Sequence, residues 1–184
     1  QSVSSGDSHS CGVTAAGFGF CWGEGADGRL GTDSTSDELL PAAIETSMTF
    51  DEIHAANQHS CGRTGGDIYC WGNRASGRLG SANSGGSSSI PELTSGGLTF
   101  IGLSTSEDHT CAISDANDIY CWGSAGAGRL GNNDTTALDV PTKIIAPAAE
   151  PTAKWKKVAA GRDHTCALTL AGKPYCWGHN GEGE

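Results

Sequence analysis

The chain repeats itself about every 50 residues, and this period narrows the possible folds more than any other feature. Gly-Arg-Leu-Gly occurs at 28–31, 77–80 and 128–131, and Cys-Trp-Gly at 21–23, 70–72, 121–123 and 176–178. A His-Ser/Thr-Cys triplet falls at 9–11, 59–61, 109–111 and 164–166. Pro41, Pro91 and Pro141 keep the same phase, and Phe50, Phe100 and Trp155 each stand nine residues before a repeat histidine. The histidines are 50, 50 and 55 residues apart, the last interval stretched by an insertion in the Ala- and Pro-rich Ala146–Ala153. A fixed period of this length marks solenoids, propellers and arrays. One module is used about four times within a single repeat domain, 1–184, at approximately 1–50, 51–100, 101–155 and a partial 156–184.

Within a module the signals are those of short strands. In Cys61-Gly-Arg-Thr-Gly-Gly-Asp-Ile-Tyr-Cys70, the pair Gly65-Gly66 suits a two-residue hairpin turn, because both central residues can take positive φ without steric cost. Folding there pairs Thr64 with Asp67, Arg63 with Ile68, Gly62 with Tyr69 and Cys61 with Cys70. The other three copies carry one more residue between their cysteines, which fits a three-residue loop with a bulge near Ala16, Ala116 and Ala171. A second strand signal precedes each His triplet, as in Phe100-Ile-Gly-Leu103. A third surrounds each proline, which is confined to a strand start or a sheet edge. About four short strands per period make too small a core to stand alone, and radial stacking would bury the Trp and Leu positions. The pattern is that of an all-β chain, a β-propeller of about four four-stranded blades, the last incomplete.

Composition agrees. Glycine makes up 28 of 184 residues, about twice its ordinary share of roughly 7%. The glycines miss the every-third-residue spacing of collagen, and 17% charged residues is low for a helical bundle. No apolar run approaches the roughly 18 residues of a membrane span.

His109-Thr-Cys-Ala-Ile, Ile119-Tyr-Cys-Trp-Gly, Gly128-Arg-Leu-Gly and Val140-Pro together resemble the repeat of the regulator of chromosome condensation family. The resemblance runs through essentially the whole chain and implies a propeller with about 50 residues per blade, commonly seven blades. It also implies that His9, His59, His109 and His164 are structural, each fixing a neighbouring backbone turn, with Trp22, Trp71, Trp122 and Trp177 as repeat positions. Arg29, Arg78 and Arg129 stand where the family's turn has glutamine, and cysteines replace aliphatic residues on the hairpin strands. These departures resemble a secreted, cysteine-containing branch of the family.

The eight cysteines fall as Cys11/Cys21, Cys61/Cys70, Cys111/Cys121 and Cys166/Cys176. Of 105 conceivable pairings, hairpin geometry selects these four, because opposed residues on antiparallel strands lie within disulfide range. Each bridge closes a loop of about ten residues, worth about 2–3 kcal/mol in the chain-entropy picture, and together they imply an oxidising, extracellular compartment. The competing reading is four metal sites, each His-x-Cys plus a second Cys. Zinc knuckles want Cys-x₂₋₄-Cys, and these cysteines are separated by eight or nine residues. No metal or cofactor is expected.

Nor does the chain carry a catalytic motif. Gly-x-Ser-x-Gly, His-Glu-x-x-His and a phosphate-binding glycine loop are all missing. Asp33, Asp37 and Glu38 read as a solvated loop, and the off-phase His54 and His179 as surface residues. Asn133-Asp-Thr135 is a glycosylation acceptor pattern on an expected loop. A net charge of −10 argues against nucleic acid, since phosphates would meet a like-charged surface. Lys154-Trp-Lys-Lys157 is too small a cluster to offset it.

The ends raise a question of closure. Gln1 has the phase of Asp51, Gly183 that of Gly28 and Glu184 that of Arg29. Starting on Gln rather than Met, the chain reads as a processed or trimmed product whose first residue could cyclise. Strands from both ends could complete one blade of a tight four-blade ring. Alternatively the chain is a window on a longer propeller, or a neighbouring copy completes its open edges. Three functions fit: a secreted, non-enzymatic scaffold holding a protein or glycan on its loops; a structural subunit self-associating head to tail through open blade edges; or a secreted inhibitor of a hydrolase.

Overall fold

The computed structural model describes every residue except Gln1, Ser84, Glu182 and Glu184. The expectations placed on Gln1 and Glu184 therefore lie outside the described residues. The described chain is all-β and forms four antiparallel sheets, the blades of a propeller. The first holds β1 (Ser2–Ser5), β2 (His9–Val13), β3 (Gly19–Gly23) and β4 (Glu38–Ala43) in chain order. The second holds β5 (Glu52–Ala55), β6 (His59–Thr64), β7 (Asp67–Gly72) and β8 (Ser88–Leu93). The third holds β9 (Phe100–Thr105), β10 (His109–Ser114), β11 (Ile119–Gly123) and β12 (Leu138–Lys143). The fourth has three described strands, β13 (Trp155–Ala160), β14 (His164–Thr169) and β15 (Pro174–Gly178).

The hairpin register follows the turn residues. In the second blade Thr64 pairs with Asp67, Arg63 with Ile68 and Cys61 with Cys70 around Gly65 and Gly66, at φ +59° and +106°. The other hairpins close three-residue loops. Thr14 N–H donates to Phe18 O, Ser114 N–H to Asp118 O and Thr169 N–H to Lys173 O. Their last loop residues, Gly17, Asn117 and Gly172, have positive φ, as a type I turn followed by a bulge requires. Pro41, Pro91 and Pro141 lie in β4, β8 and β12, each at a sheet edge. A proline there costs the ladder no interior hydrogen bond.

The core lies between blades. Cys11, Cys21 and Leu30 of the first pack against Phe50, Ile53 and Trp71 at the second. Cys61, Cys70 and Leu79 meet Phe100, Leu103 and Trp122 in the same way. Cys111, Cys121 and Leu130 meet Trp155, Val158 and Trp177. A two-layer junction of this kind buries apolar surface that a lone small sheet would expose, and supplies the driving force for stacking. The four disulfides are those expected, with Cα–Cα separations of 4.1 Å, the close spacing of non-hydrogen-bonded opposed pairs. The first three bridges are fully buried beneath the next blade, whereas Cys176 of the fourth is exposed.

The glycine of each turn is set by close approach. A Cβ on Gly31, Gly80 or Gly131 would stand 2.8, 2.7 or 2.6 Å from the indole Nε1 of Trp71, Trp122 or Trp177. The turn of one blade thus lies under the tryptophan of the next, and Trp71 and Trp122 are fully buried. Trp22 and Trp177, on the outer blades, are half-buried. One expectation is corrected here. β1 pairs with β2, Ser2 opposite Val13 and Ser5 opposite Ser10. Among the described residues the strand at the start of the chain lies in the sheet of the first blade and does not pair with β15 of the fourth.

Candidate functional site

Each blade has two ends. One carries the hairpin loop; the other brings the short loop before the repeat histidine beside the long loop after Cys-Trp-Gly. Backbone bonds hold those two loops together: Glu24 N–H to Ser8 O, Asn73 to Gln58, Ser124 to Asp108 and His179 to Asp163, all 2.8–2.9 Å. Both segments therefore emerge on the same end of every blade.

Around the shared axis this end opens into a cleft of 520 Å³ lined by all four blades. Ser5, Ala55, Thr105 and Ala160 contribute the strand ends, and Asp7, Asn57, Glu107 and Arg162 the loop side chains. Asn57 Nδ2 donates to Glu107 Oε1 at 3.1 Å, and Arg162 Nε reaches Glu107 Oε2 at 2.8 Å. The second, third and fourth blades are thus linked through one carboxylate, and Asp7 stands exposed on the first. Further out, the turn arginines are buried and reach the next blade. Arg78 Nη2 pairs with Asp108 at 3.0 Å, and Arg129 Nη2 with Asp163 at 2.6 Å. Arg29 Nη1 donates to Glu24 Oε2 at 2.7 Å and to Asn57 O at 3.2 Å. Each guanidinium also donates Nε–H to the carbonyl three residues back, a geometry the family's glutamine could not reproduce. The carboxylates of Glu24, Asp27, Asp108 and Asp163 remain between 37% and 45% exposed. With these three cations withdrawn, the face presents part-exposed carboxylates beside the exposed Arg162.

The repeat histidines lie behind this face. His9 Nε2 is 2.8 Å from Ser60 Oγ, His59 Nε2 3.0 Å from Thr110 Oγ1 and His109 Nε2 2.8 Å from Thr165 Oγ1, each on the following blade. Ser60 and Thr165 donate their hydroxyl hydrogens to Arg29 O and Arg129 O, at 2.9 and 2.8 Å. A hydroxyl that gives its proton to a carbonyl must accept from the imidazole, so Nε2 carries the hydrogen and Nδ1 a lone pair. Trp177 Nε1 donates to the same Arg129 carbonyl at 3.0 Å. The histidine therefore reaches the neighbouring turn through one hydroxyl rather than directly. Burial pushes the His9 imidazole down to about 4, with the Arg29 charge adding to it. His109 falls to about 3 from burial and then the Arg129 charge, and burial holds His59 well below the usual range. His164 is half-buried.

All eight cysteines are oxidised in pairs, which removes them as metal ligands. No group of three metal-ligating side chains is placed to hold an ion among the described residues, nor is any described helix long and apolar enough to cross a membrane. Asp33 and Asp37 are exposed, as a solvated loop requires, yet each has a partner: Ser89 Oγ for Asp33 and Gly25 N–H for Asp37. His54 contacts Glu52 at 3.2 Å. Asn133 is exposed in the loop after Gly131. The cleft residues themselves escaped the sequence reading. Their shared phase, two residues before each repeat histidine, was the available signal.

The chain matches the regulator of chromosome condensation (RCC1) repeat at residues 17–62 and 117–168, and a second form of that repeat at 100–129 and 155–184. It is 31% identical to the ultraviolet-B receptor UVR8 of Arabidopsis thaliana over 189 aligned positions, covering 100% of this chain and 42% of that protein. It is 29% identical to the human E3 ubiquitin-protein ligase HERC2, covering 96% of this chain and 4% of the ligase. Among solved structures it superposes on human WBSCR16 with a TM-score of 0.84 at 23% identity, covering 96% of this chain and 46% of that one. Yeast RCC1 (Prp20), solved with Kap60 bound, gives 0.80 at 22%, covering 97% and 43%. The chain spans less than half the length of each.

Proposed function

Because the chain belongs to the regulator of chromosome condensation repeat family, we propose that it is a secreted, non-enzymatic propeller that binds a protein partner on its acidic loop end. The observation that carries this reading is the axial cleft. Four blades bring one short loop each to a single polar opening, with Asp7 exposed and Glu107 bridged to the exposed Arg162, while further out the carboxylates of Glu24, Asp108 and Asp163 stay part-exposed over buried turn arginines. Such a field attracts basic segments and repels acidic ones before contact. Loops on a rigid scaffold are the usual place for recognition. Yeast RCC1, of the same fold, has been solved with a protein bound. A glycan partner draws less support, because Trp71, Trp122 and Trp177 are committed to packing between blades and no aromatic side chain lines the cleft. The oxidised cysteines support residence in an oxidising compartment.

The test is a titration of the oxidised protein with fluorescent peptides of equal length, one Lys/Arg-rich, one Asp/Glu-rich and one neutral. The expected result is saturable binding of the basic peptide that weakens with salt and with Asp7→Asn plus Asp163→Asn. Equal binding of all three peptides would sink the assignment of the acidic face.

A second reading, a subunit assembled head to tail, draws on the end blades. Val3 on the first is 72% exposed, where its counterparts Ile53, Leu103 and Val158 are buried. The disulfide face of the fourth is likewise open. Sedimentation at rising concentration reads this directly, and a monomer throughout would exclude it.

A further inference from the structure

One junction departs from the repeat at four places, and the departures meet in space. At the hairpin end of the first junction stand Phe18, Ala43 and Thr49, and at the second Asp67, Leu93 and Thr99. The same phases at the third hold Asp118, Lys143 and Lys154. There too the link between blades gains five residues, the histidine interval being 55 instead of 50. Lys143 Nζ and Lys154 Nζ each stand 2.9 Å from a different oxygen of the Asp118 carboxylate. That carboxylate is 13% exposed, and the two lysines are half exposed. The cluster keeps one unit of positive charge, and each ammonium, with three donors, spends one on Asp118. The longer link roofs a cavity of 340 Å³ beside them, with Ala146, Pro151 and Ala153 as walls over Ile119, Ile144 and Trp155. This is the small end of the range for ligand pockets, about 300–1,000 Å³.

We propose that this cavity is a binding site for a small organic anion, one carboxylate on a compact apolar body. The two ammoniums receive the carboxylate with donors that Asp118 does not use, and the body lies against Ala146, Pro151 and Ala153. A monoanion brings the cluster to neutrality, whereas a neutral analogue leaves its charge unmet. The frame is already built, which spares the ligand the cost of ordering it. Ala153 N–H donates to Glu150 O at 3.0 Å, Glu150 N–H to Pro147 O at 2.8 Å, and the Glu150 carboxylate pairs with Lys173 of the fourth hairpin. Leu170 N–H holds the Lys154 carbonyl at 2.8 Å, and Lys143 is in register with Tyr120. Stability is a poor reason for the cluster, since ion pairs this exposed add little and the first two junctions pack without one. All five lysines of a chain with a net charge of −10 fall within 143–173. The lining falls within 118–155, so the third blade and its link to the fourth make the cavity. It lies at the hairpin end, away from the axial cleft, and stands or falls without the acidic loop end.

The experiment titrates the oxidised 184-residue protein with benzoate, following the backbone amides of Lys143, Thr152, Ala153 and Lys154 by NMR. The expected result is saturable shifts at these amides, with a Kd at or below about 1 mM at low salt. Benzamide, neutral and of the same shape, and acetate, charged but without the ring, should each bind at least about tenfold more weakly. Lys143→Gln and Lys154→Gln should each weaken benzoate at least about fivefold, whereas Lys156→Gln, outside the cavity, should change it less than about twofold. Asp118→Asn removes the competing carboxylate and should tighten binding; a cluster that only braces the link would give the opposite sign. Absence of saturable shifts at about 20 mM benzoate would overturn the proposal. So would equal binding of benzamide or acetate, an equal loss in Lys156→Gln, or weaker binding by Asp118→Asn.

Discussion

Mild acid should destabilise the fold through the histidines buried at the junctions between its blades. His9 and His109 are buried and neutral, held at about 4 and about 3 against 6.5 for a free imidazole. Their Nδ1 atoms have no hydrogen-bond partner, so a proton added there would sit buried and unanswered. Below pH 6.5 the unfolded chain takes up protons that the folded chain refuses, so stability is fully present above that pH and falls as pH drops toward the folded values. Each histidine contributes a slope of about 1.4 kcal/mol per pH unit in that window. Between pH 7.5 and 5 this is about 2 kcal/mol each and about 4 kcal/mol for the pair, a large share of an ordinary stability of about 5–15 kcal/mol. His59 acts in the same direction. Urea unfolding with the disulfides intact, run at half-unit steps from pH 7.5 to 5, reads the slope. His109→Gln, which keeps a donor toward Thr165 but cannot titrate, should lower it by about 1.4 kcal/mol per unit. A flat profile, or an unchanged slope in the variant, would refute the reasoning. So would a His109 imidazole that titrates near 6.5 in the folded protein by NMR, a result that needs no variant.

Three further outcomes are expected. Under native conditions a phosphine reductant should open Cys166–Cys176 first, since Cys176 is exposed and the other three bridges are buried; mass mapping of alkylated thiols gives the order. Thr165→Val should cost about 1–3 kcal/mol by removing the hydroxyl between His109 and the Arg129 carbonyl, measured as a lower urea midpoint. Gly65→Ala, at φ +59° with open space around it, should cost about 1–2 kcal/mol of left-handed strain. Gly80→Ala should cost clearly more at a similar φ of +65°, because its methyl meets the Trp122 indole at 2.7 Å; equal losses would show that this contact relaxes freely.

The sequence was most legible where a local rule decides the outcome. The Gly65-Gly66 turn set the pairing from Thr64–Asp67 to Cys61–Cys70, and one added residue turned the other hairpins into three-residue bulged loops. Proline at the fourth strand told its edge position. Less could be read where the same repeat position changes chemistry. Asp7, Asn57, Glu107 and Arg162 share a phase but no residue type, so periodicity concealed the one place where they meet. Arg29, Arg78 and Arg129 were visible as departures from glutamine. Their reach into the next blade depends on blade spacing, which no local pattern carries. Strand membership at the start of the chain failed for a similar reason: Ser2–Ser5 has the right phase for an inner strand, and phase alone leaves open whose sheet it joins.

Every junction in this molecule is built from one kit: histidine to a hydroxyl on the next blade, arginine to the next loop, glycine beneath the next tryptophan. Nothing in the kit refers to how many blades precede or follow. A chain lacking residues 61–110, with Ser60 joined directly to Cys111, would fuse the front half of one module to the rear half of its neighbour and keep each remaining seam supplied with the same parts. Blade number is therefore free to change by whole repeats, and selection on the loops can proceed one module at a time.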